Sequence, residues 1–256
     1  MPRSIWNGTV TFGMVSVPVK LYSATESKSV HFREVHVSDG GRIEHRRFCP
    51  KEDREVPYEQ VVKGYEVASE RYVVLDDEEV KAAAGGRGKV LDLREFVDAA
   101  DIDPVLFDAT YYVGSRDAED AFRLLYEALR RTARAGIGRF SFHDREYLVA
   151  LRAGEDVLVL HTLRFHDEVV TGDELEIKRA GRKPSKREVG MAGQLVESLA
   201  GDFRPADYRD TYREAVLDLI KRKGKGEEID LVAEEEPAQG EDLSAALEAS
   251  LSGARP

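Results

Sequence analysis

Few residues in this chain have the chemistry to do more than pack, and most of them stand alone. Cys49 is the only cysteine among 256 residues and lies in RIEHRRFCPKEDREVPYEQVVKGYE (42–66), with His45 four positions before it. Structural zinc takes about four converging ligands, usually announced by paired short spacings, and Cys49 with His45 supplies half of such a set. His161 and His166 in HTLRFHDE form a second pair. On a strand an odd separation turns them to opposite faces, so they chelate together only if the strand ends between them. Asp76, Asp77, Glu78 and Glu79 resemble the acids of a metal-dependent nuclease, but they fit better as the first turn of a short helix, DDEEVKAAA, where the helix dipole favours negative charge. There is no G-x-S-x-G elbow and no recognisable cysteine-enzyme signature, and GGRGK (85–89) lacks the spacing of a phosphate loop. The expectation is no catalytic residue, no metal and no cofactor.

Cations, by contrast, gather. Residues 42–54 carry Arg42, Arg46, Arg47, Lys51 and Arg54 against three acids, and residues 178–187 carry Lys178, Arg179, Arg182, Lys183, Lys186 and Arg187 with none. Such arrays neutralise phosphates and release counterions, which gives affinity without sequence preference. Taken singly, either cluster is equally well read as a solvated polar loop. The formal charge of −11 argues at first against a nucleic-acid partner. However, residues 224–256 hold two basic and nine acidic residues, and without them the chain has 36 basic against 40 acidic, a body near −4.

The elements that must position these residues are mainly β. TVTFGMVSVPVKLY alternates apolar and polar residues, with Val10, Phe12 and Met14 on one face and Val15, Val17, Val19 and Leu21 on the next. The change of phase at Gly13 predicts a bulge or tight bend. Pro18 fits there only where its missing N–H is not needed. Further strands are expected at 30–37, 71–75, 89–97, 110–113, 138–144, 146–151 and 157–165, the last three joined as hairpins. Many short strands with turns between them argue for a barrel or sandwich.

Three helices interrupt the strands. DAEDAFRLLYEALRRTARAG (117–136) has an acidic start, apolar Phe122, Leu125, Leu129 and Ala133, and a stop at Gly136. SKREVGMAGQLVESLAG opens on a capping box, Ser185 with Glu188, and puts Val189, Ala192, Leu195, Val196 and Leu199 on one face. PADYRDTYREAVLDLIKRK places Tyr208, Tyr212, Leu219 and Ile220 on a third apolar stripe, which suits a subunit contact or the chain's own core equally. Beyond Lys225 the composition turns acidic and loses aromatics, so a mobile tail is expected, in which DLSAALEASL has the pattern of one short helix. The chain has neither an apolar span of eighteen residues nor a secretory signal, and a soluble intracellular protein is expected.

Six segments in one order, IWNGTVTFGMVSVPVKLYSAT, EVPYEQVVKGYE, ADIDPVLFDATYYV, FRLLYEALRRTARAGIGRF, LVLHTLRFHDEV and MAGQLVESLAGDFRPADYRDTYREAVLDLI, resemble the bacterial Ku family across about residues 3–223. The resemblance implies a mainly β fold with helical additions: a Ku-type β-barrel core over 1–184, bearing a DNA-embracing arm at about 38–70 and an inserted helix at about 117–135. It further implies a C-terminal helical region over 185–223 and a flexible acidic tail over 224–256. It implies a homodimeric ring threaded by a duplex end, a role in non-homologous end joining, recruitment of a multifunctional ATP-dependent DNA ligase, and a cytoplasmic site at breaks in the nucleoid. Many members of that family carry a second cysteine shortly after the equivalent of Cys49. This chain reads CPKEDREVP there, so Cys49 has no partner within one subunit. Under the resemblance Arg42, Arg46, Arg47, Lys51, Arg54 and Lys63 are the residues expected to face phosphates, with Arg33 on the segment leading into the arm. Two readings from other classes stay open, a metal-dependent nuclease built on the scattered acids and an adaptor that binds only protein.

Overall fold

The computed structural model describes residues 3–83, 89–142, 145–172, 174, 175, 177, 183–227 and 247. The chain divides into two compact units, one of residues 1–27 with 33–175 and the other of residues 28–32 with 176–256.

The first unit begins with the alternating stretch. β1 (Trp6–Phe12) and β2 (Val15–Ser23) pair antiparallel from Trp6↔Leu21 to Phe12↔Val15. The two-residue turn has Gly13 at φ +56° and Met14 without a positive φ, the pattern of a type II′ hairpin, whose twist matches its strands. The change of phase is thus a full reversal, and Met14 is fully exposed at its tip instead of sharing a face with Val10. Pro18 lies one position past the last β2 pair with the strand that follows it in the barrel, where its carbonyl accepts from the Arg116 N–H at 3.0 Å.

Next come β3 (Phe48–Cys49) with β4 (Arg54–Glu55), and β5 (Lys63–Ala68) with β6 (Arg71–Leu75), as two separate two-stranded sheets. The strand expected at 30–37 is absent: only one bridge, Val35 to Arg42, forms there. Its alternation finds no strand or core to lie on, and Phe32, Val35 and Val37 stay exposed. A short helix, α1 (Asp77–Ala83), follows.

β7 (Val90–Asp98), β8 (Phe107–Ser115), β9 (Arg134–Phe142), β10 (Arg145–Ala153) and β11 (Leu158–Leu163) complete a closed barrel in the order β1-β2-β8-β11-β10-β9-β7. The barrel closes through a parallel pairing of β1 with β7. Inside lie Val10, Val17, Val19, Leu91, Leu151 and Leu160, all without solvent contact, and Trp6 meets Phe140 edge to face at 5.6 Å. Between β8 and β9, α2 (Glu119–Thr132) adds Leu125 and Leu129 to this core. The helix stops at Ala133, which has φ +52°, and not at Gly136, which lies inside β9. β9 pairs from Arg134 with Asp98, so the reversal must be completed by the residue before it, although a left-handed alanine costs about 1 kcal/mol.

A second apolar cluster packs Ile102, on the connection from β7 to β8 (residues 99–106), against Ala135, Ala150 and Leu163. Two single 3-10 turns build this connection, Ala99–Asp101 and Pro104–Leu106. Each is capped by the aspartate before it: Asp98 accepts from Ala100 N–H and Asp103 from Val105 N–H, both at 3.0 Å. Apolar contacts on both sides explain why every residue of β11 is buried.

The second unit holds α3 (Lys186–Ser198) and α4 (Thr211–Gly224). The expected capping box is present, with Ser185 N–H donating to Glu188 Oε2 at 2.6 Å and Glu188 N–H to Ser185 Oγ at 3.3 Å. Tyr208 is not on α4 but precedes it, after a 3-10 turn at Pro205–Asp207. Tyr208, Tyr212, Leu219 and Ile220 are all exposed, so the reading of this stripe as the chain's own core is not met. No helix among the described residues is long and apolar enough to cross a membrane. GGRGK apart from Lys89, the start of the basic segment at 178–182, and DLSAALEASL apart from Leu247 lie outside the described residues.

Candidate nucleic-acid interface

The cations of the first cluster stand on an excursion between β2 and β7 made of three small hairpins. The first turns at residues 36–41: His36 N–H donates to Gly41 O at 2.7 Å, Gly40 N–H to His36 O at 2.8 Å, and Gly41 N–H to Asp39 Oδ1 at 2.8 Å, with Gly40 at φ +70°. Arg42 sits on its returning limb and Arg33 just before its outgoing one. The second is β3–β4, closed by Val56 N–H donating to Arg47 O at 2.9 Å. Arg46 and Arg47 lead into it, Lys51 occupies its turn, and Arg54 lies on β4 opposite Cys49. The third is β5–β6, paired from Lys63↔Leu75 to Ala68↔Arg71, with Lys63 at its start. All seven expected contact residues are exposed.

The hairpin registers sort these cations by charge. Arg46 reaches Glu55 at 3.1 Å and Glu44 at 3.9 Å, and Arg54 reaches Glu52 at 2.5 Å, so both are partly neutralised. Arg47 instead lies over the Tyr58 ring, 4.8 Å from its centre, a contact that orients the guanidinium and leaves its charge intact. Among the described residues Arg33, Arg42 and Lys51 have no acidic partner. Sequence alone does not single out Arg71, an exposed cation on β6: RYVVL has the pattern of a strand beyond the arm, whereas it is the second limb of the third hairpin. Exposed cations on narrow ribbons can neutralise the phosphates of a strand laid along them, and phosphate contacts grip without reading sequence.

The other groups singled out by type have ordinary duties. Among the described residues no three His, Cys, Asp or Glu side chains converge on a point. Cys49 is half-buried and unpaired, and His45 turns to Glu34 at 2.9 Å. Asp76 caps α1, accepting from the N–H groups of Glu78 and Glu79 at 2.9 and 2.7 Å, while Glu79 Oε2 accepts from Asp76 N–H at 2.9 Å.

β11 ends between the two histidines, and His166 enters a 3-10 turn. His161 is buried, with Nδ1 3.0 Å from Thr110 Oγ1 and Nε2 accepting from Arg152 Nε at 3.0 Å. Burial and then the adjacent Arg152 cation lower its pKa to about 4. Between its ordinary value near 6.5 and 4 the unfolded chain takes up a proton at this site and the folded chain does not, so folding stability falls as the pH is lowered through that window. Solvent reaching the Arg152 side screens the contribution to about 1–2 kcal/mol. His161→Gln keeps an acceptor for Arg152 and is expected to flatten the loss of urea resistance between pH 6.5 and 4; an unchanged profile would place the acid sensitivity elsewhere.

Residues 11–191 match the family model described as the Ku70/Ku80 beta-barrel domain. The chain is 45% identical over 259 residues to the Non-homologous end joining protein Ku of Anaeromyxobacter sp. (strain K), an alignment covering 100% of this chain and 87% of that one. It is 36% identical over 250 residues to Non-homologous end joining protein Ku 1 of Geotalea uraniireducens (strain Rf4), covering 96% and 95%. With the Mycobacterium tuberculosis (strain ATCC 25618 / H37Rv) protein of the same description it shares 35% over 265 residues, covering 97% and 94%. A closed barrel carrying a long cationic excursion, matched through most of its length by these relatives, makes this chain a member of the Ku family.

Proposed function

We propose that the chain binds ends of double-stranded DNA without sequence preference, as a homodimeric ring, and brings a multifunctional ATP-dependent DNA ligase to breaks in non-homologous end joining. The observation that carries this reading is the excursion from β2 to β7, three exposed hairpins lined with cations and anchored to the closed barrel. Its phosphate contacts would be Arg33, Arg42, Arg46, Arg47, Lys51, Arg54 and Lys63, to which Arg71 is added.

Two features support a second subunit. Tyr65, Val67, Val73 and Val74 leave the β5–β6 ribbon apolar and exposed, and an isolated two-stranded ribbon is marginal in water. Tyr208, Tyr212, Leu219 and Ile220 offer a further apolar surface. The chemistry asked of the protein is topological: a closed ring loads only where a duplex has a free end, which turns an electrostatic grip into selectivity for breaks. The reading needs no catalytic group or cofactor, and it places the protein in the cytoplasm, at breaks in the nucleoid.

The test is an electrophoretic shift of one duplex sequence as a linear fragment and as a covalently closed circle, across a salt series without added metal. Binding of the linear form alone, weakened by salt and with strand length unchanged, is expected. Equal binding of the circle would replace the ring by an open groove. Shortening of a labelled end on adding Mg²⁺ would favour a nuclease, and no binding to either form would favour a protein adaptor.

A further inference from the structure

The outer side of the barrel carries a cleft of about 540 Å³ between β8, β10, β11 and the connection at 99–106. This volume lies in the range of small-molecule sites. Its walls are apolar, from Ala99, Ala100, Ile102, Pro104 and Phe107, apart from three polar side chains, Thr110, Arg152 and His161. These three share one face because β11 pairs His161 with Thr110 on one side and with Ala150, two residues from Arg152, on the other.

The hydrogen bonds among the three determine what the cleft lacks. Arg152 Nε can only donate, so His161 Nε2 accepts, and a neutral imidazole must then carry its proton on Nδ1. Nδ1–H therefore donates to Thr110 Oγ1. The Thr110 hydroxyl, having accepted, keeps its own hydrogen to donate, and among the described residues nothing receives it. The terminal nitrogens of Arg152 are likewise without an acceptor among the described residues. Elsewhere on the barrel Arg94, Arg139, Arg145 and Arg164 each meet a carboxylate at 2.7–3.2 Å, whereas Arg152 meets a neutral ring. Asp98 and Asp103 of the adjacent turns cap Ala100 and Val105, and no carboxylate lines the cleft.

A cleft with a cation and a hydroxyl donor, apolar walls and no carboxylate lining it is complementary to one kind of molecule. We propose that it binds a small organic monoanion, a carboxylate seated on Arg152 and the Thr110 hydroxyl, with its apolar or aromatic body against Ile102, Pro104 and Phe107. A neutral His161 serves this by holding Arg152 in place without consuming its charge. The site is separate from the cationic excursion and does not depend on the DNA reading.

The test uses benzoate as the probe and benzamide as its neutral counterpart, followed by the imidazole resonance of His161 in the full-length protein, assigned by its loss in His161→Gln. Benzoate is expected to shift that resonance saturably and to bind at least about tenfold more tightly than benzamide, since the bond to a charged partner is the difference between them. Arg152→Met is expected to abolish the preference and Thr110→Val to weaken benzoate several-fold, with the amide spectrum reporting that each variant is folded. Equal shifts with benzoate and benzamide, no saturable shift with wild-type protein, or undiminished benzoate binding in folded Arg152→Met would each overturn the proposal.

Discussion

Changing Arg33, Arg42, Arg47 and Lys51 together to glutamine is expected to weaken binding of a short linear duplex by about 10²–10³-fold near ~0.1 M salt, and to reduce the slope of log affinity against log salt by roughly 3 to 4, counting one phosphate for each residue. These four are chosen on charge. Three have no acidic partner among the described residues, and Arg47 rests on an aromatic ring. Arg46 and Arg54 already share their charge with Glu55, Glu44 and Glu52, so their replacement is expected to cost less. Glu55→Gln is expected to tighten binding several-fold by releasing Arg46. The measurement is a salt titration of affinity for each variant, with circular dichroism confirming the fold. A fall in affinity at unchanged slope would mean that these side chains shape the arm without touching phosphates, and an unchanged affinity would move the interface off the arm.

Such a ranking was not legible in the sequence, where the five cations of residues 42–54 look alike. Arg46 and Glu55 are nine positions apart and meet only because β3 and β4 form a hairpin with one register. A charge cluster reports how many cations are near each other along the chain, while the field they present depends on which acids the fold returns to them. The omission of Arg71 has the same root. RYVVL reads as a buried strand by composition, and nothing local says that its apolar residues stay exposed on a two-stranded ribbon.

The barrel and the start of α3 were more legible because their signals are local. Alternation in β1 and β2, the short polar connections of β9 to β11 and the capping box of α3 each lie within a few residues of one another. VHFREVHV has the same alternation and forms no strand, since a pattern states which side chains would share a face and not whether a surface exists to cover it. Closure through β1 and β7 leaves no local trace at all, because it joins Thr9 to Val90, far apart along the chain. The cleft around His161 leaves no local trace for this reason too: its three polar residues come from three strands, and by sequence the histidine stands out only as a candidate metal ligand.

The closure of the barrel also determines a sensitive backbone position on β9. Gly138→Ala is expected to destabilise the protein by at least about 3 kcal/mol, or to prevent its folding, whereas Gly136→Ala two residues earlier costs less than about 1 kcal/mol. Both glycines lie on β9 facing β7. β7 carries an irregularity between Leu93 and Glu95, where Arg94 is an extra residue against β9, and such a bulge brings backbone close to the strand it faces. A Cβ at Gly138 would run into the carbonyl oxygen of Asp92, with Leu93 Cα 3.0 Å away, and a strand held on both sides within a closed barrel cannot withdraw without breaking pairs. A Cβ at Gly136 would meet the side-chain ends of Leu93 and Phe96 at 3.0 Å, and these can rotate aside. Urea unfolding of the two variants beside wild type decides the matter. Equal and small losses would mean that β7 and β9 part readily at the bulge, and equal and large losses would mean that the Leu93 and Phe96 side chains are held as rigidly as the backbone behind them.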